Sequence, residues 1–103
     1  MVARGEVHWL EVEDDKRRPV LVLSPDPLVA ALRKVLVVPL TTTVRNVPTE
    51  VSLGPGDGVP RESAANCNDV RAVPRTLLVE RVATLGQDRM LEVCAALRRA
   101  TGC

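Results

Sequence analysis

The sequence has almost no aromatic residues: Trp9 is the only one, and phenylalanine and tyrosine are both missing. Proteins that bind single-stranded nucleic acid without a sequence preference commonly stack the bases on aromatic rings. A chain with one aromatic side chain cannot build such a platform, so the composition disfavours a general RNA-binding module. It also leaves the interior to aliphatic side chains, and we expect a core filled by valine and leucine.

The net charge is also small, at +1 over 103 residues, so no strong positive field covers the whole protein. Any contact with nucleic acid therefore needs a local group of cations. Arginines do occur close together along the chain, at positions 17 and 18, 71 and 75, and 98 and 99. The last pair is predicted to lie at a helix end, where solvent exposure explains it better than a ligand does.

Several kinds of catalytic machinery are missing. The single histidine, His8, excludes a site with two histidines, and its position in a predicted strand indicates a structural role. The sequence contains no glycine-rich phosphate loop and no G-x-S-x-G nucleophile elbow. The consecutive carboxylates of Glu13, Asp14 and Asp15 are better explained as a solvated loop than as a metal site. We therefore expect no metal ion and no cofactor.

The cysteines and the apolar runs bear on where the protein works. Cys67, Cys94 and Cys103 lack the spacing of a zinc site, and three thiols in a chain without a signal peptide suit a reducing compartment. The longest apolar run, near Val35–Val38, is far too short to cross a bilayer. We expect a cytoplasmic protein with no membrane contact.

Most of the chain is patterned as short strands bounded by turn residues. The predicted strands are Glu6–Val12, Val20–Leu23, Val35–Thr43, Thr49–Leu53, one or two short ones in Ser63–Val73 around Asn66 to Asp69, and Leu78–Leu85. Pro39 lies inside the third of these, and because proline cannot donate to a ladder, it predicts an edge or a bulge.

Two helices complete the predicted elements. Asp26 is a candidate cap for a short helix over Leu28–Arg33, with Pro27 at its first position. The last helix is predicted from near Gly86 to a stop at Gly102, because its apolar residues recur at helical spacing. We expect a single domain over residues 1–103. Its class is mainly β with α, a small curled antiparallel sheet or barrel closed by a C-terminal helix.

Several motifs in a fixed order carry a resemblance to a known family. The most specific are R-P-V-L-V at Arg18–Val22, after the first strand, and P-L-T-T at Pro39–Thr42, after the third. Further along come a serine followed by D-V-R at Asp69–Arg71, then V-A-T-L at Val82–Leu85, then the helix. From Arg4 to the C-terminus this arrangement resembles the MazF/PemK family of toxin endoribonucleases.

The resemblance implies an SH3-like antiparallel barrel of the CcdB/MazF type, a homodimer, and single-stranded RNA bound in the groove between the subunits. By position in the motifs, Arg18 matches the family's catalytic arginine and Thr41 its catalytic threonine. Thr42 is the alternative threonine in the same run. Further RNA contacts are expected from Arg17, Thr42, Arg45 and Asn46.

The implied reaction needs no metal, because RNA supplies its own nucleophile. The 2′-OH attacks the adjacent phosphorus, and the products are a 2′,3′-cyclic phosphate and a 5′-OH. The resemblance also implies a toxin–antitoxin pair, and therefore a MazE-like cognate antitoxin whose acidic tail fills the RNA groove. Base recognition is expected from three loops, Glu13–Lys16, Thr43–Pro48 and Gly54–Pro60.

Two other functions remain open from the sequence. A CcdB-like topoisomerase poison would share the fold and act by protein–protein contact, but it has no need of Arg18 and Thr41. An SH3-like binding module without activity is disfavoured by the scarcity of aromatic residues. Asp69 and Arg71 are expected to form a structural ion pair rather than to take part in chemistry.

Overall fold

Seven antiparallel strands form one sheet in a computed structural model of the chain, which describes residues 2–13 and 16–103. The strands are β1 (Glu6–Glu11), β2 (Arg17–Val22), β3 (Lys34–Thr41), β4 (Glu50–Leu53), β5 (Ser63–Asn66), β6 (Arg71–Pro74) and β7 (Leu78–Thr84). Their order is β4-β5-β3-β2-β1-β7, and β6 also pairs with β3. The long strand β3 therefore has two partners on one side, β6 along residues 34–37 and β5 along residues 40–41.

Two helices pack against this sheet, α1 (Asp26–Ala31) and α2 (Gln87–Thr101). Gly86 precedes the first turn of α2, and Gly102 ends the helix in the left-handed conformation at φ 74°, which a residue without a Cβ adopts readily. The Gly102 N–H then donates to the Arg98 carbonyl at 2.8 Å. The predicted bounds of this helix are confirmed. Among the described residues, no helix is long and apolar enough to span a membrane.

The main hydrophobic core shows that the sheet curls. It brings together Val51 and Leu53 from β4, Ala83 from β7, and Val93 and Ala96 from α2. Since β4 and β7 lie at opposite ends of the strand order, their side chains can meet only if the sheet bends around the core. The predicted curled antiparallel sheet with a C-terminal helix is confirmed, and its interior is aliphatic, as expected.

A second apolar cluster covers the other face of β1, β2 and β3. Successive side chains of a strand point to opposite faces, so Leu21 and Val38 enter the main core while their neighbours join the second cluster. Its members are Leu10, Val20, Val22, Val29, Val35, Val37, Val73 and Leu78. This cluster forms the base on which the candidate site is built.

The sequence predicted an edge or a bulge at Pro39. The edge position is wrong because β3 is an interior strand, and the pairing with β2 reaches Pro39 without a register shift. The Leu23 N–H donates to the Leu36 carbonyl at 2.8 Å, and alternation along the ladder leaves the Val20–Pro39 pair without hydrogen bonds to β2. The Pro39 nitrogen therefore faces the other side of β3. On that side, Pro39 lies between the residues of β3 that pair with β6 and those that pair with β5. Residue 39 therefore needs no backbone N–H for a hydrogen bond to either strand.

One further local prediction is wrong. Asp26 is the first residue of α1 rather than its cap, and its carboxylate instead accepts a hydrogen bond from the Arg4 backbone N–H at 2.7 Å. The short strands predicted in Ser63–Val73 are confirmed, because β5 and β6 lie on either side of a turn at residues 67 and 68. The Asn66 side chain favours this turn, since its Oδ1 accepts a hydrogen bond from the Asn68 backbone N–H at 3.1 Å.

Candidate active site

A cleft of about 220 Å³ opens where β2 and β3 leave the second apolar cluster. Its base is apolar, and its edges carry arginine, threonine, asparagine and aspartate side chains. The lining residues are Leu10, Arg18, Val20, Val37, Pro39, Thr41, Arg45, Asn66, Asp69 and Arg71. A larger cavity of about 550 Å³ lies beside α1, but it contains none of the predicted site residues and is mostly apolar.

Arg18 and Thr41 both line this cleft, and the strand register explains why. The last pair between β2 and β3 is Val20 with Pro39. Arg18 lies two residues before Val20, and Thr41 lies two residues after Pro39, so continuation of the antiparallel register brings them opposite each other. A period of two also places their side chains on the same face as Val20 and Pro39, which form the base of the cleft.

The Thr41 hydroxyl is held in a fixed orientation. Its Oγ1 accepts a hydrogen bond from the Thr43 backbone N–H at 3.1 Å, an arrangement common where a strand turns into a loop. A hydroxyl has one hydrogen to donate and two lone pairs that accept. Since the backbone uses one lone pair, the hydroxyl hydrogen stays available to donate to a group in the cleft.

The Arg18 guanidinium is exposed, and within residues 2–13 and 16–103 it makes no hydrogen bond or ion pair. Arginine offers five N–H donors in a planar fork that matches two phosphate oxygens. An exposed fork beside an oriented hydroxyl can bind the two non-bridging oxygens of a phosphodiester.

Arg45 reaches the cleft from the loop after β3, which Glu50 holds in place. Glu50 Oε1 accepts from the backbone N–H groups of Arg45 at 2.9 Å and of Asn46 at 3.1 Å, and the Glu50 side chain is only 3% exposed. Asn46 itself adopts a positive φ of 56°, which asparagine tolerates better than most residues. Its side chain is not among those lining the cleft.

Arg17 and Thr42 were also predicted to contact RNA, and neither lines the cleft. Arg17 precedes Arg18 in β2, so its side chain leaves the opposite face of the strand. There its guanidinium lies 3.5 Å from the Glu80 carboxylate, with both side chains exposed. The structure thus brings together Arg18, Thr41 and Arg45, and separates Arg17, Thr42 and Asn46 from them.

Three polar residues of the cleft were not predicted to lie in the site: Asn66, Asp69 and Arg71. The expected ion pair between Asp69 and Arg71 is confirmed. The Arg71 guanidinium donates through Nε at 3.0 Å and through an amino group at 2.7 Å to the two oxygens of Asp69. These hydrogen bonds lower the pKa of the Asp69 carboxyl and raise the pKa of the Arg71 guanidinium. The D-V-R motif at Asp69–Arg71 was the sequence feature that could have indicated this part of the site, but the family resemblance assigned no role to it.

His8 is buried in β1, away from the cleft, and is only 5% exposed. Its Nε2 lies 2.9 Å from Glu6 Oε1, and its Nδ1 has no partner within the described part of the chain. Burial acts to raise the pKa of the Glu6 carboxyl, but hydrogen bonds from His8, the Ala3 backbone and Arg81 outweigh it and lower that pKa. The structural role predicted for His8 agrees with this position.

The cleft is lined by three arginines and one aspartate, and positive charge still exceeds negative when the Glu50 carboxylate, 3.9 Å from the Arg45 guanidinium, is counted. An anionic ligand is therefore favoured there, although the protein as a whole is almost neutral. In the described ranges 2–13 and 16–103, no group of three or more His, Cys, Asp or Glu side chains could hold a metal ion. Asp14 and Asp15 of the acidic loop lie outside the described residues.

Comparison with known proteins gives a family match over almost the whole chain. The model of the family described as PemK-like, MazF-like toxin of type II toxin-antitoxin system matches residues 3–101. Among curated proteins, the chain is 47% identical over 102 residues to the probable endoribonuclease MazF5 of Mycobacterium tuberculosis, covering 98% of this chain and 94% of that protein.

Solved structures of similar fold agree with the family match. One is the Mycobacterium tuberculosis toxin MazF-mt6, with a TM-score of 0.86, 29% identity, and coverage of 94% of this chain and 96% of that one. Another is an endoribonuclease in complex with its cognate antitoxin from a mycobacterial species, with a TM-score of 0.89 and 25% identity. That match covers 99% of this chain and 96% of the other.

Proposed function

Because the chain belongs to the PemK-like, MazF-like toxin family, it is a toxin endoribonuclease, and we propose that it cuts single-stranded RNA sequence-selectively without a metal ion. The observation that carries the proposal is the placement of Arg18 and Thr41 in one cleft. A guanidinium and an oriented hydroxyl at the same point are what an RNA phosphodiester needs for cleavage by its own ribose.

In the proposed reaction the 2′-oxygen attacks the adjacent phosphorus, and the bond from phosphorus to the 5′-oxygen breaks. The proton lost by the 2′-OH passes to solvent, and solvent returns one to the 5′-oxygen. The products are a 2′,3′-cyclic phosphate and a free 5′-OH. The protein has to hold the 2′-OH in line with the leaving oxygen and stabilise the charge that develops on the non-bridging oxygens. DNA has no 2′-OH and is therefore not a substrate.

Arg18 is assigned to the non-bridging phosphate oxygens. Its fork is exposed in the cleft and has no competing partner within residues 2–13 and 16–103, so it can bind both oxygens at once. We assign it electrostatic stabilisation rather than proton transfer, because a guanidinium with a pKa above about 12 loses a proton only at high cost near neutral pH.

Thr41 is assigned the second hydrogen bond to the same phosphate. The Thr43 N–H fixes its oxygen before substrate binds, so little reorganisation is needed when charge develops. Removing one pre-organised donor of this kind typically slows a reaction by about 10²–10³-fold. The neighbouring Thr42 is exposed and lies outside the cleft lining.

Arg45 is assigned to the neighbouring phosphates of the strand, since it lines the same cleft on the loop after β3. The selectivity for single strands follows from access: unstacked bases expose their edges, whereas a duplex cannot bend into so small a cleft. The loops Thr43–Pro48 and Gly54–Pro60 remain proposed contacts for the flanking bases, together with Arg17, Thr42 and Asn46.

The proposed partners follow the family. We propose that the protein acts as a homodimer, with RNA lying across the two subunits, and that a cognate antitoxin inhibits it. One structural relative was solved in complex with its cognate antitoxin. The excess of arginine in the cleft favours an acidic antitoxin segment as the inhibitor. Three free thiols suit the reducing cytoplasm.

The direct test is incubation of the purified protein with a pool of synthetic single-stranded RNAs of randomised sequence in EDTA, followed by analysis of the fragment ends. We expect cutting that resists EDTA and leaves a 2′,3′-cyclic phosphate and a 5′-OH. Arg18→Ala should slow cutting by about 10²–10³-fold. Arg98→Ala removes an exposed arginine of α2 and should leave it unchanged. RNA that stays intact, or cutting that needs a divalent ion, would overturn the proposal, and intact RNA would favour the topoisomerase poison.

A further inference from the structure

A carboxylate lies in a cleft that is otherwise built for an anion. Asp69 lines the same cleft as Arg18, Arg45 and Arg71, and its side chain is 38% exposed. A site that only bound phosphate would gain nothing from a negative charge at its edge. The Asp69 carboxylate therefore favours a ligand group that donates hydrogen bonds, whereas the oxygens of a phosphate diester only accept them.

Asp69 is held in place from both ends. Its backbone N–H donates to the Asn66 carbonyl at 3.2 Å, which closes a tight turn between β5 and β6. Its carboxylate is braced by the two-point contact with Arg71, at 3.0 Å and 2.7 Å. A carboxylate has two oxygens with about four acceptor positions, so each oxygen can still accept a further hydrogen bond. The group is both pre-organised and available.

Asn66 provides donors beside this acceptor. Its Oδ1 already accepts from the Asn68 backbone N–H at 3.1 Å, which fixes the amide so that its NH₂ group points away from the turn. Asn66 also lines the cleft. An acceptor and an amide donor thus line one cleft from the two ends of the same turn, and proteins read the edge of a nucleobase with such pairs of groups.

The base of the cleft suits a nucleobase ring. Leu10, Val20 and Pro39 line an apolar floor in a volume of about 220 Å³, above the fully buried Val37, and the charged, hydroxyl and amide side chains line the rest of the cleft. Small-molecule sites share this arrangement, an apolar floor with a few fixed polar groups. Without exposed aromatic side chains, an unstacked base can still be covered by aliphatic ones.

We propose that this cleft also holds one unstacked base next to the scissile phosphate, and that Asp69 reads it by accepting a hydrogen bond from an exocyclic amino group. Cytosine, adenine and guanine carry such a group, and uracil does not. Uracil presents its one ring N–H between two carbonyl oxygens, which a carboxylate repels. Asp69 is thus a specificity-determining residue and Arg71 a positioning residue, an inference that rests on the proposed ribonuclease activity.

The other explanation of the pair is that Asp69 only neutralises Arg71. The two explanations predict different consequences when the carboxylate becomes an amide. If Asp69 reads a base, Asp69→Asn changes which base is accepted at one position beside the cut. If it only balances charge, the same substitution frees Arg71, strengthens binding of every RNA alike, and leaves the base preference unchanged.

The test uses a pool of short single-stranded RNAs with a randomised centre, cut in EDTA and sequenced at the new ends. For the wild type we expect uracil to be depleted at one position next to the cut. In Asp69→Asn that depletion should shrink by roughly 5- to 100-fold, the range for one base-reading hydrogen-bond pair, while cutting continues. Asp88→Asn makes the same chemical change on the exposed first turn of α2 and should leave the profile unchanged.

Arg71→Lys gives a second, independent variant, because lysine keeps the charge but cannot form the two-point brace. Arg71→Lys should partly reduce the depletion of uracil at the same position next to the cut. An unchanged base profile in an Asp69→Asn protein that still cuts would overturn this inference and leave the proposed activity standing. A wild-type protein that cuts no member of the pool would overturn both.

Discussion

The Thr41 hydroxyl allows a sharp test because it can be removed without changing the shape of the side chain. Thr41→Val replaces Oγ1 with a methyl group, and valine is at least as favourable in a strand as threonine. Thr41 is half-buried at the end of β3, where its oxygen accepts from the Thr43 N–H at 3.1 Å. The substitution therefore removes the structural hydrogen bond and the proposed one to the reacting phosphate.

The two losses differ in size and in what they affect. The Thr43 N–H is exposed and can bond to water instead, so its loss should cost at most about 1 kcal/mol of unfolding free energy. The bond to phosphate strengthens as charge develops in the transition state, so its loss should lower the rate of the chemical step by about 10²–10³-fold. We expect kcat to fall by that factor while RNA binding changes little.

Single-turnover cleavage of a defined RNA measures the chemical step directly. Thr41→Ser retains the hydroxyl and should recover most of the rate. Thr84→Val makes the same change at the exposed end of β7 and should cut as fast as wild type. Thr42→Val tests the neighbouring threonine. If Thr41→Val cuts as fast as the wild type while Thr42→Val is slow, the assignment of the hydroxyl is wrong.

Three further predictions concern the substrate and the fold. A single 2′-deoxy nucleotide on the 5′ side of the cut should abolish cleavage there and nowhere else; a cut at that bond would exclude attack by the 2′-OH. Arg89 Nε donates to Asp57 at 2.9 Å and thereby lowers the pKa of that carboxyl below its ordinary value of 3.8. Asp57→Asn should therefore lower the unfolding free energy by about 1 kcal/mol at neutral pH, after allowance for the partly exposed Arg89. The difference should fade as the pH drops below about 4, where the wild-type carboxyl takes up a proton, and urea titrations at neutral and acidic pH that show a constant difference would contradict this. Leu21→Ala opens a cavity at a fully buried position and should cost about 2–5 kcal/mol, whereas Leu91→Ala, at a position 62% exposed, should leave the melting temperature nearly unchanged.

The sequence predicted the elements better than their ends. Apolar patterns of strand length and turn residues located each strand that the structure describes, but β2 begins at Arg17 and not at Val20. The reason is that Arg17, Arg18 and Pro19 pair with Glu11, Leu10 and Trp9 of β1, and no local pattern reveals that pairing. The edge position predicted for Pro39 was wrong for the same reason. Proline is tolerated inside the sheet there because β3 changes partner from β6 to β5 at that residue, which leaves no hydrogen bond for a backbone N–H to make.

Site residues that belong to a sequence motif with a known role could be predicted. Those that reach the cleft only through the folding of the chain could not. Arg18 and Thr41 were named from motif positions, and the shared register of β2 and β3 brings them into one cleft. Asn66 and Asp69 reach that cleft through a turn between two strands that pair with β3, a contact between residues distant in sequence. Arg17 and Thr42 fall outside it because side chains alternate along a strand and because β3 ends at Thr41.

The central claim is that one guanidinium and one hydroxyl act together on a single phosphodiester, and a double-mutant cycle measures this directly. Single-turnover rates would be compared for the wild type, Arg18→Ala, Thr41→Val and the double variant. Groups that stabilise the same transition state are strongly non-additive, so we predict that the double variant is little slower than Arg18→Ala alone. Losses that multiply, as they do for residues acting at separate places, would contradict the account.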